Sequence, residues 1–223
     1  MLTLSDASIS EAIRDAADRL RRGGVAIYPT ETFFAIGCRI DCPHAIERIF
    51  QLKKRRHQAA LPVLISSGGQ LSSITQVQAC DAETMDALRS LWPAPLTLLL
   101  EVKPGLPALL TAGTGKIAVR ISPHPVASVL TELCGCPIVC TSANISGMPP
   151  STHAGGISRE LLNGLDADVD ALLDMPPRPS GGLPSTIVEP CGPMTLRILR
   201  HGAFDMQRLE KLGFVIITQE ACP

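Results

Sequence analysis

The sequence predicts an α/β protein with a mixed, largely buried sheet. Apolar residues at helical spacing alternate with short apolar runs for most of the length, which is the pattern of helices alternating with strands. The run 96–102 is apolar with little alternation, so a strand there needs cover on both faces. With 223 residues and 45% hydrophobic content, the chain can bury a substantial core. We expect one domain over 1–223, because no segment has the composition of a linker.

The N-terminal part of the chain predicts two helices and two strands. A capping box at 8–11 starts the first helix, and Gly23-Gly24 ends it. Pro43 starts the second helix, which ends in the basic run Lys53-Lys54-Arg55-Arg56. Apolar runs predict the two strands at 25–30 and 61–66.

The rest of the chain continues the alternation. Met85, Leu88 and Leu91 recur at helical spacing, and Gly135 closes a later helical pattern. The predicted helices are 81–91, 124–133 and 205–212. The predicted strands are 96–102, 116–121, 137–142, 169–173, 185–189 and 195–199.

The charge and apolar patterns exclude two classes of protein. Twenty Lys and Arg against twenty-one Asp and Glu give a net charge of -1, so the chain lacks the global basic field of a non-specific nucleic-acid binder. No apolar run approaches the roughly 20 residues that span a bilayer, and the N-terminus lacks a secretory pattern. We expect a cytoplasmic protein that does not contact a membrane, in which any anion site is local.

The eight cysteines indicate reduced thiols, since they are too few for a disulfide-stapled chain of this size. Cys38 and Cys42, together with Cys134, Cys136 and Cys140, leave a four-sulfur metal site as an alternative. Their spacings are not those of zinc knuckles, so we assign no metal to protein side chains.

Two distant stretches each run from a buried strand into a small polar cluster, at 25–32 and at 137–147. Ligands of open α/β sheets bind beyond the carboxyl ends of strands, so both clusters can share one pocket. The basic run 53–56 can bring positive charge to the same place. This combination predicts a site for an anionic ligand, although 113–116 is not a P-loop and no G-x-S-x-G element is present.

Five motifs resemble, in order and spacing, the YrdC-like family, whose bacterial members are threonylcarbamoyl-AMP synthases. They are Tyr28-Pro29-Thr30-Glu31-Thr32-Phe33-Phe34-Ala35-Ile36-Gly37, Lys53-x-Arg55, Trp92-Pro93-Ala94-Pro95-Leu96-Thr97, Val119-Arg120-Ile121-Ser122-Pro123-His124-Pro125 and Ser142-Ala143-Asn144-x-Ser146-Gly147. The resemblance covers about 8–204 and leaves 205–223 as a C-terminal helix and tail. It implies a twisted sheet and flanking helices around one large concave cavity. We expect no counterpart of the extra C-terminal domain of longer relatives.

The resemblance implies a reaction that joins L-threonine, bicarbonate or CO2, and ATP with Mg²⁺ into threonylcarbamoyl-AMP and pyrophosphate. The product then serves the modification of the tRNA adenosine beside the anticodon, with downstream partner proteins and at most weak contact with RNA. A carbamate oxygen must attack the α-phosphorus while pyrophosphate leaves. This step needs positioning and charge neutralisation more than a covalent nucleophile.

The resemblance also implies roles for eight side chains. The catalytic residues would be Lys53 and Arg55, the ATP contacts Arg55, Ser142, Asn144 and Arg200, and the threonine contacts Thr32, Arg120 and Ser185. Arg gives phosphate or carboxylate a bidentate fork and Lys gives a compact charge. We expect neither Lys53 nor Arg55 to lie in the core.

Each assignment has a structural alternative. The basic run can be a solvated helix end that complements the helix dipole, and Asn144 can be a turn residue. An internal Asp or Glu can pair with Arg120. His124, before a proline at a helix start, is expected to be structural.

Several residues depart from the family pattern. Lys54 and Arg56 stand where many relatives have Gly and Pro, and Leu64 stands where many longer relatives place a substrate-contacting His. Phe33-Phe34-Ala35-Ile36 replaces a commoner V-Y-G-L, so the pocket shape is expected to differ.

Two alternative functions stay open from the sequence. The first is a non-catalytic RNA-binding or ribosome-associated module, which the near-zero net charge and the seven aromatic residues disfavour. The second is a carbamoyl-adenylate enzyme of the hydrogenase-maturation type. Proteins of that type carry acylphosphatase and zinc-finger modules, which this chain does not have.

Overall fold

The computed structural model describes residues 7–77 and 80–217, and the predicted mixed α/β class is confirmed. The helices are α1 (Ala7–Arg21), α2 (Pro43–Lys53), α3 (Gly68–Ile74), α4 (Ala82–Ser90), α5 (Ala108–Thr111), α6 (Pro125–Cys134), α7 (Arg159–Asn163) and α8 (Gln207–Lys211). The strands are β1 (Ala26–Pro29), β2 (Phe34–Gly37), β3 (Val63–Leu64), β4 (Leu96–Glu101), β5 (Lys116–Arg120), β6 (Ile138–Val139), β7 (Thr141–Ser142), β8 (Ala171–Leu172), β9 (Thr186–Gly192), β10 (Thr195–Arg200) and β11 (Val215–Ile217).

The described strands divide between two mixed sheets rather than one. The larger sheet has seven strands in the order β11-β10-β9-β4-β5-β3-β6, and the smaller has four in the order β7-β2-β1-β8. Strand β4 pairs with β5 antiparallel and with β9 parallel. Strand β1 likewise pairs with β2 antiparallel and with β8 parallel. Both sheets therefore combine the two ladder types.

The chain crosses from the larger sheet to the smaller one at Cys140. Val139 of β6 pairs with Val63 of β3, whereas Ser142 of β7 pairs with Ala35 of β2. The prediction of one strand over 137–142 was therefore wrong, because a continuous apolar run does not reveal which sheet each half joins. This crossing brings two polar segments that are distant in sequence, at 30–33 and 140–144, next to each other through the pairing of β2 with β7, as the prediction of a shared pocket requires.

The two sheets approach closely at Gly37, the last residue of β2. A Cβ atom added there would lie 1.9 Å from the carbonyl oxygen of Val139, so a side chain cannot be accommodated without a shift of the backbone. The phenol of Tyr28 donates a hydrogen bond of 3.0 Å to the same carbonyl. Glycine is required here by close approach of two backbones.

Several boundaries differ from the prediction. Strand β3 is two residues long instead of six, and α1 already includes Ser8, which was expected to precede it. The side chains of the predicted capping box at 8–10 lie outside the described residues. Elements β2, α3, α5 and β11 were not predicted, since each has seven residues or fewer and little periodicity.

The buried apolar residues of the described ranges form two clusters. In one, α1 and α6 pack together and against β1 through Ile13, Leu20, Tyr28 and Leu130. The other contains the apolar faces of α2 and α4 and the centre of the larger sheet. Among the described residues, no helix is long and apolar enough to cross a bilayer.

Candidate active site

A cavity of about 390 Å³ is lined by strands of both sheets. Ala35 and Ser142 of the smaller sheet line it, as do Leu99 and Ala118 of the larger one. The structure brings six of the eight sequence-predicted side chains to its wall: Thr32, Arg55, Arg120, Ser142, Ser185 and Arg200. The other two, Lys53 and Asn144, contact each other and lie beside Ser142.

Lys53, the last residue of α2, is buried, with only 1% of its surface exposed. Its Nζ donates to the carbonyl oxygens of Asn144 (2.7 Å) and Ser142, and to Oδ1 of Asn144 at 3.4 Å. In return, the backbone N–H of Ser146 donates to the Lys53 carbonyl at 2.8 Å. The prediction that Lys53 lies outside the core was therefore wrong. The ammonium is buried because backbone and side-chain oxygens of the 142–146 turn replace its water.

Two opposing effects act on the protonation of Lys53. Burial, and to a lesser extent the nearby Arg55, lower the pKa of Lys53 to about 7. The three oxygen acceptors instead favour the ammonium form. No carboxylate is hydrogen-bonded to Nζ among the described residues, so the charge is held by dipoles alone.

Neighbouring residues of the basic run have different environments. Lys54 has left-handed backbone angles, is exposed and forms an ion pair with Glu160. Arg55 turns back, lines the cavity and donates to the carbonyl oxygens of Ala59 (3.3 Å) and Ala60 (2.9 Å). Burial lowers the pKa of Arg55. The solvated-helix-end alternative thus describes Lys54 but neither of its neighbours.

Ser142 and Asn144 form a closed polar turn beside the cavity. Ser142 Oγ donates to Asn144 Oδ1 at 2.5 Å, and Asn144 Nδ2 donates to the carbonyl oxygens of Ile145 (3.0 Å) and Met148 (2.5 Å). Asn144 is therefore a turn residue, the alternative that the sequence left open. Of the two, Ser142 lines the cavity.

Arg120, at the end of β5, is 7% exposed and lines the cavity. Its Nη1 pairs with Oε1 of Glu31, and its Nη2 lies 3.5 Å from the sulfur of Cys140. The second oxygen of Glu31 accepts from Ser122 Oγ at 2.5 Å. The internal acidic partner foreseen as an alternative is thus present. Sequence reasoning missed Glu31 and Ser122, although both stand in motifs that it quoted.

Ser185 and Arg200 form a second polar group with Thr97. Arg200 donates through Nε (3.0 Å) and Nη2 (2.7 Å) to the Ser185 carbonyl, and through Nη2 to Ser185 Oγ at 3.1 Å. Ser185 Oγ also lies 2.9 Å from Thr97 Oγ1, which lines the cavity and was not predicted. Burial, and then the positive charge of Arg120, lower the pKa of Arg200. This cavity therefore concentrates positive charge.

Thr32 stands at the turn between β1 and β2. Its hydroxyl lies 3.3 Å from that of Thr30, and its carbonyl accepts from the N–H of Gly181 at 2.9 Å. The carbonyl of Glu31 accepts from Ser180 in the same way, at 3.1 Å. The segment around 180 is thereby fixed beside the cavity mouth.

The remaining predicted features have structural places. His124 caps α6, since its Nδ1 accepts from the N–H of Val126 at 3.2 Å, and its Nε2 lies 2.7 Å from the carbonyl of Pro177. Leu64, Phe34 and Ala35 line the cavity, so the departures from the family pattern lie on its wall. They make part of that wall apolar.

The possibility of a sulfur metal site finds no support in the described part of the chain. No group of three or more His, Cys, Asp or Glu side chains there is arranged to hold a metal ion. Cys38, Cys42, Cys134, Cys136 and Cys140 are free thiols.

Comparisons with known proteins agree on one family. The sequence profile of the Sua5, YciO and YrdC family, described as "Telomere recombination", matches residues 18–202. The threonylcarbamoyl-AMP synthase of Alkalilimnicola ehrlichii is 39% identical over 167 residues, 75% of this chain and 84% of that protein. The threonylcarbamoyl-AMP synthase of Xanthomonas campestris is 35% identical over 159 residues, 71% of this chain and 83% of that one.

The fold is similar to a solved relative with a bound ligand. The crystal structure of P. abyssi Sua5 complexed with L-threonine superposes with a TM-score of 0.81 and 30% identity, covering 92% of this chain. The chain spans 58% of that Sua5 protein.

Proposed function

The chain belongs to the Sua5, YciO and YrdC family, and from that membership and the cavity we propose that it is a threonylcarbamoyl-AMP synthase. It joins L-threonine, bicarbonate or CO2, and ATP into threonylcarbamoyl-AMP and releases pyrophosphate. Relatives at 35–39% identity carry that name, and a Sua5 relative has been crystallised with L-threonine.

The proposal rests on the charges of the side chains that line the cavity. Three arginines from separate parts of the chain, Arg55, Arg120 and Arg200, line one cavity together with the hydroxyls of Thr32 and Ser142. No carboxylate lines this cavity among the residues that the structure describes. Such a site favours a ligand with several negative charges, which a triphosphate and an amino-acid carboxylate supply together.

The threonine end is assigned to Arg120. Its guanidinium is oriented by Glu31, so the fork is preorganised to receive a carboxylate. Thr32 and Ser185 offer hydroxyls on the same wall for the polar groups of the amino acid. The ammonium of threonine first loses a proton to solvent. The neutral amine then adds to the carbon of CO2, a C=O π pair moves onto oxygen, and the nitrogen releases a second proton to solvent to give a carbamate.

The ATP end is assigned to Arg55, Ser142 and Arg200. A carbamate oxygen forms a bond to the α-phosphorus, the bond from that phosphorus to its bridging oxygen breaks, and pyrophosphate leaves with the electron pair. The arginines neutralise charge on the phosphates as it shifts toward the leaving group. Lys53 supports this step indirectly, because its ammonium holds the turn that carries Ser142.

ATP enters as its Mg²⁺ complex, and the metal is part of the substrate. Among the described residues no carboxylate lines the cavity, and that of Glu31, beside Arg120, already binds Arg120 and Ser122. Phosphate and water oxygens therefore supply the metal ligands.

We extend the proposal to the fate of the product. A threonylcarbamoyl adenylate is a mixed anhydride, so it is consumed by transfer of the threonylcarbamoyl group to a nucleophile, with AMP as the leaving group. The adenosine beside the tRNA anticodon is the acceptor that the family implies, with partner proteins completing the transfer in the cytoplasm. The near-zero net charge supports, at most, weak contact with RNA.

The test is a reconstitution with ATP, Mg²⁺, bicarbonate and labelled threonine. We expect pyrophosphate and a labelled adenylate, both of which disappear when bicarbonate or threonine is left out. Pyrophosphate that requires carbamoyl phosphate instead would support the hydrogenase-maturation alternative. No pyrophosphate, with RNA retained at physiological salt, would support the RNA-binding alternative.

Adjacent cations provide a matched pair of variants. Arg55→Ala removes a guanidinium from the cavity wall and should lower kcat/KM for ATP by about 100-fold, the usual cost of one preorganised charge contact. Lys54→Ala removes an exposed charge one residue away and should leave the rate within about twofold. Equal losses in the two variants would contradict the assignment of Arg55.

A further inference from the structure

A second cavity, of about 470 Å³, lies next to the active-site cavity and shares no lining residue with it. It is enclosed by the start of α3, the end of α4 and the start of α6. Its wall combines Arg89 with serines and with apolar side chains, and the residues are Ser66, Gly68, Leu71, Arg89, Trp92, Pro93, Ile121, Ser122, Pro123, Pro125 and Ser128. None of them lines the active-site cavity, and Ser122 alone is linked to the reaction proposed above, through its hydrogen bond to Glu31.

The polar groups on the wall of this cavity are not all hydrogen-bonded within the described part of the protein. Nε of Arg89 is buried without a hydrogen-bond partner among the described residues, although the side chain as a whole is 36% exposed. Its Nη1 lies 3.5 Å from Oδ1 of Asp86, which is mostly exposed to solvent. Ser66 and Ser128 add hydroxyls to the wall, those of a half-buried and an exposed residue, which water or a ligand can reach. A buried donor without an acceptor is unfavourable, and an anion would satisfy it.

The other walls define the body of the ligand. Trp92, Pro93 and Leu71 give flat and aliphatic surfaces, and the indole N–H of Trp92 is already donated to the carbonyl of Leu96 at 2.6 Å. The ring face is therefore available for packing rather than for hydrogen bonding. No carboxylate lines the cavity among the described residues, so its one charged group is a cation.

Ser122 connects this cavity to the threonine site. It lines the second cavity while its hydroxyl donates to Glu31, and Glu31 in turn orients Arg120 in the first cavity. A ligand that draws the Ser122 hydroxyl toward itself releases one oxygen of Glu31. Arg120 then loses part of its orientation.

We propose that the second cavity is an effector site for a small organic anion, with a phosphate or carboxylate on Arg89 and a flat apolar body against Trp92. Occupancy weakens threonine binding through Ser122 and Glu31. The binding claim stands on the cavity alone, whereas the effect on threonine rests on the proposed function.

The test of binding uses phenyl phosphate as the probe and the emission of Trp92, the sole tryptophan, as the signal. We expect a saturable change with a dissociation constant of about 1 mM or tighter. Arg89→Met should weaken binding by roughly tenfold or more, and Arg14→Met, which removes an exposed charge far along the chain on α1, should not. No saturable change, or equal binding by Arg89→Met, would overturn the site.

The test of coupling measures threonine kinetics with and without saturating phenyl phosphate. We expect the probe to raise KM for threonine severalfold in the wild type, and to have no such effect in Ser122→Ala or Arg89→Met. Linkage requires threonine to raise the dissociation constant of the probe by the same factor by which the probe raises that of threonine. An unchanged KM with the site full would refute the coupling, while a wild type without any synthase activity would refute the proposed function and leave the fluorescence test intact.

Discussion

Replacing Lys53 by Met tests how the folded protein holds a buried ammonium. The pKa of Lys53 is lowered to about 7, against about 10.4 in an unfolded chain. Between these values the unfolded chain binds a proton that the folded protein does not, so stability rises with pH. From pH 7 to pH 9, the free energy of unfolding of the wild type should increase by about 2 kcal/mol relative to Lys53→Met.

The assay is urea denaturation at several pH values between 6 and 9. Lys54→Met is the matched control, because Lys54 is exposed and its replacement should leave the pH dependence of the wild type unchanged. A constant difference between wild type and Lys53→Met would refute the reasoning. It would mean that the carbonyl oxygens of Ser142 and Asn144 outweigh burial and keep the ammonium charged throughout.

Three further predictions concern separate parts of the fold. Arg120→Gln should raise KM for threonine about 10- to 100-fold, as expected for a lost charged hydrogen bond, and should change KM for ATP little. Steady-state assays of pyrophosphate release measure both values, and equal rises in the two KM values would contradict the assignment. Asp170→Ala should cost about 3 kcal/mol in urea denaturation, because the carboxylate accepts from both Nη atoms of Arg48 and from two backbone N–H groups, and an unchanged midpoint would count against it. Burial lowers the pKa of His124 below 6.5, so its neutral form contributes to the free energy of unfolding above pH 6.5, and this contribution is lost as the pH falls. His124→Asn should therefore lose less stability than the wild type between pH 7 and pH 5. Equal losses in the two proteins would contradict this role of His124.

The strongly periodic elements were predictable from sequence because their burial pattern is local. Helix α4 was predicted at 81–91 and spans Ala82–Ser90, with Met85 and Leu88 buried as expected. Strand β4 was predicted at 96–102 and spans Leu96–Glu101. By contrast, nothing in the run 137–142 indicates that its halves join different sheets, since that choice depends on partners over seventy residues away.

The site was predictable in its membership and not in its internal contacts. The family resemblance identified six side chains that line one cavity, four of them within the five motifs, and no local pattern could place them together. The burial of Lys53 could not be foreseen, because its solvation comes from carbonyl oxygens whose positions the sequence does not encode directly. The role of Glu31 was missed for a related reason: a carboxylate beside Thr32 shows its partner only when Arg120 arrives from another strand.

The short segment that crosses between the sheets at Cys140 makes three sets of contacts. It pairs with β3 on one side and with β2 on the other, and it then supplies the turn that encloses the ammonium of Lys53. A sliding motion between the two sheets would be transmitted directly to the hydroxyl of Ser142. In the proposed synthase, the mutual alignment of the two sheets therefore sets the position of a hydroxyl assigned to ATP, so a substitution that shifts one sheet against the other would alter nucleotide affinity without touching the nucleotide.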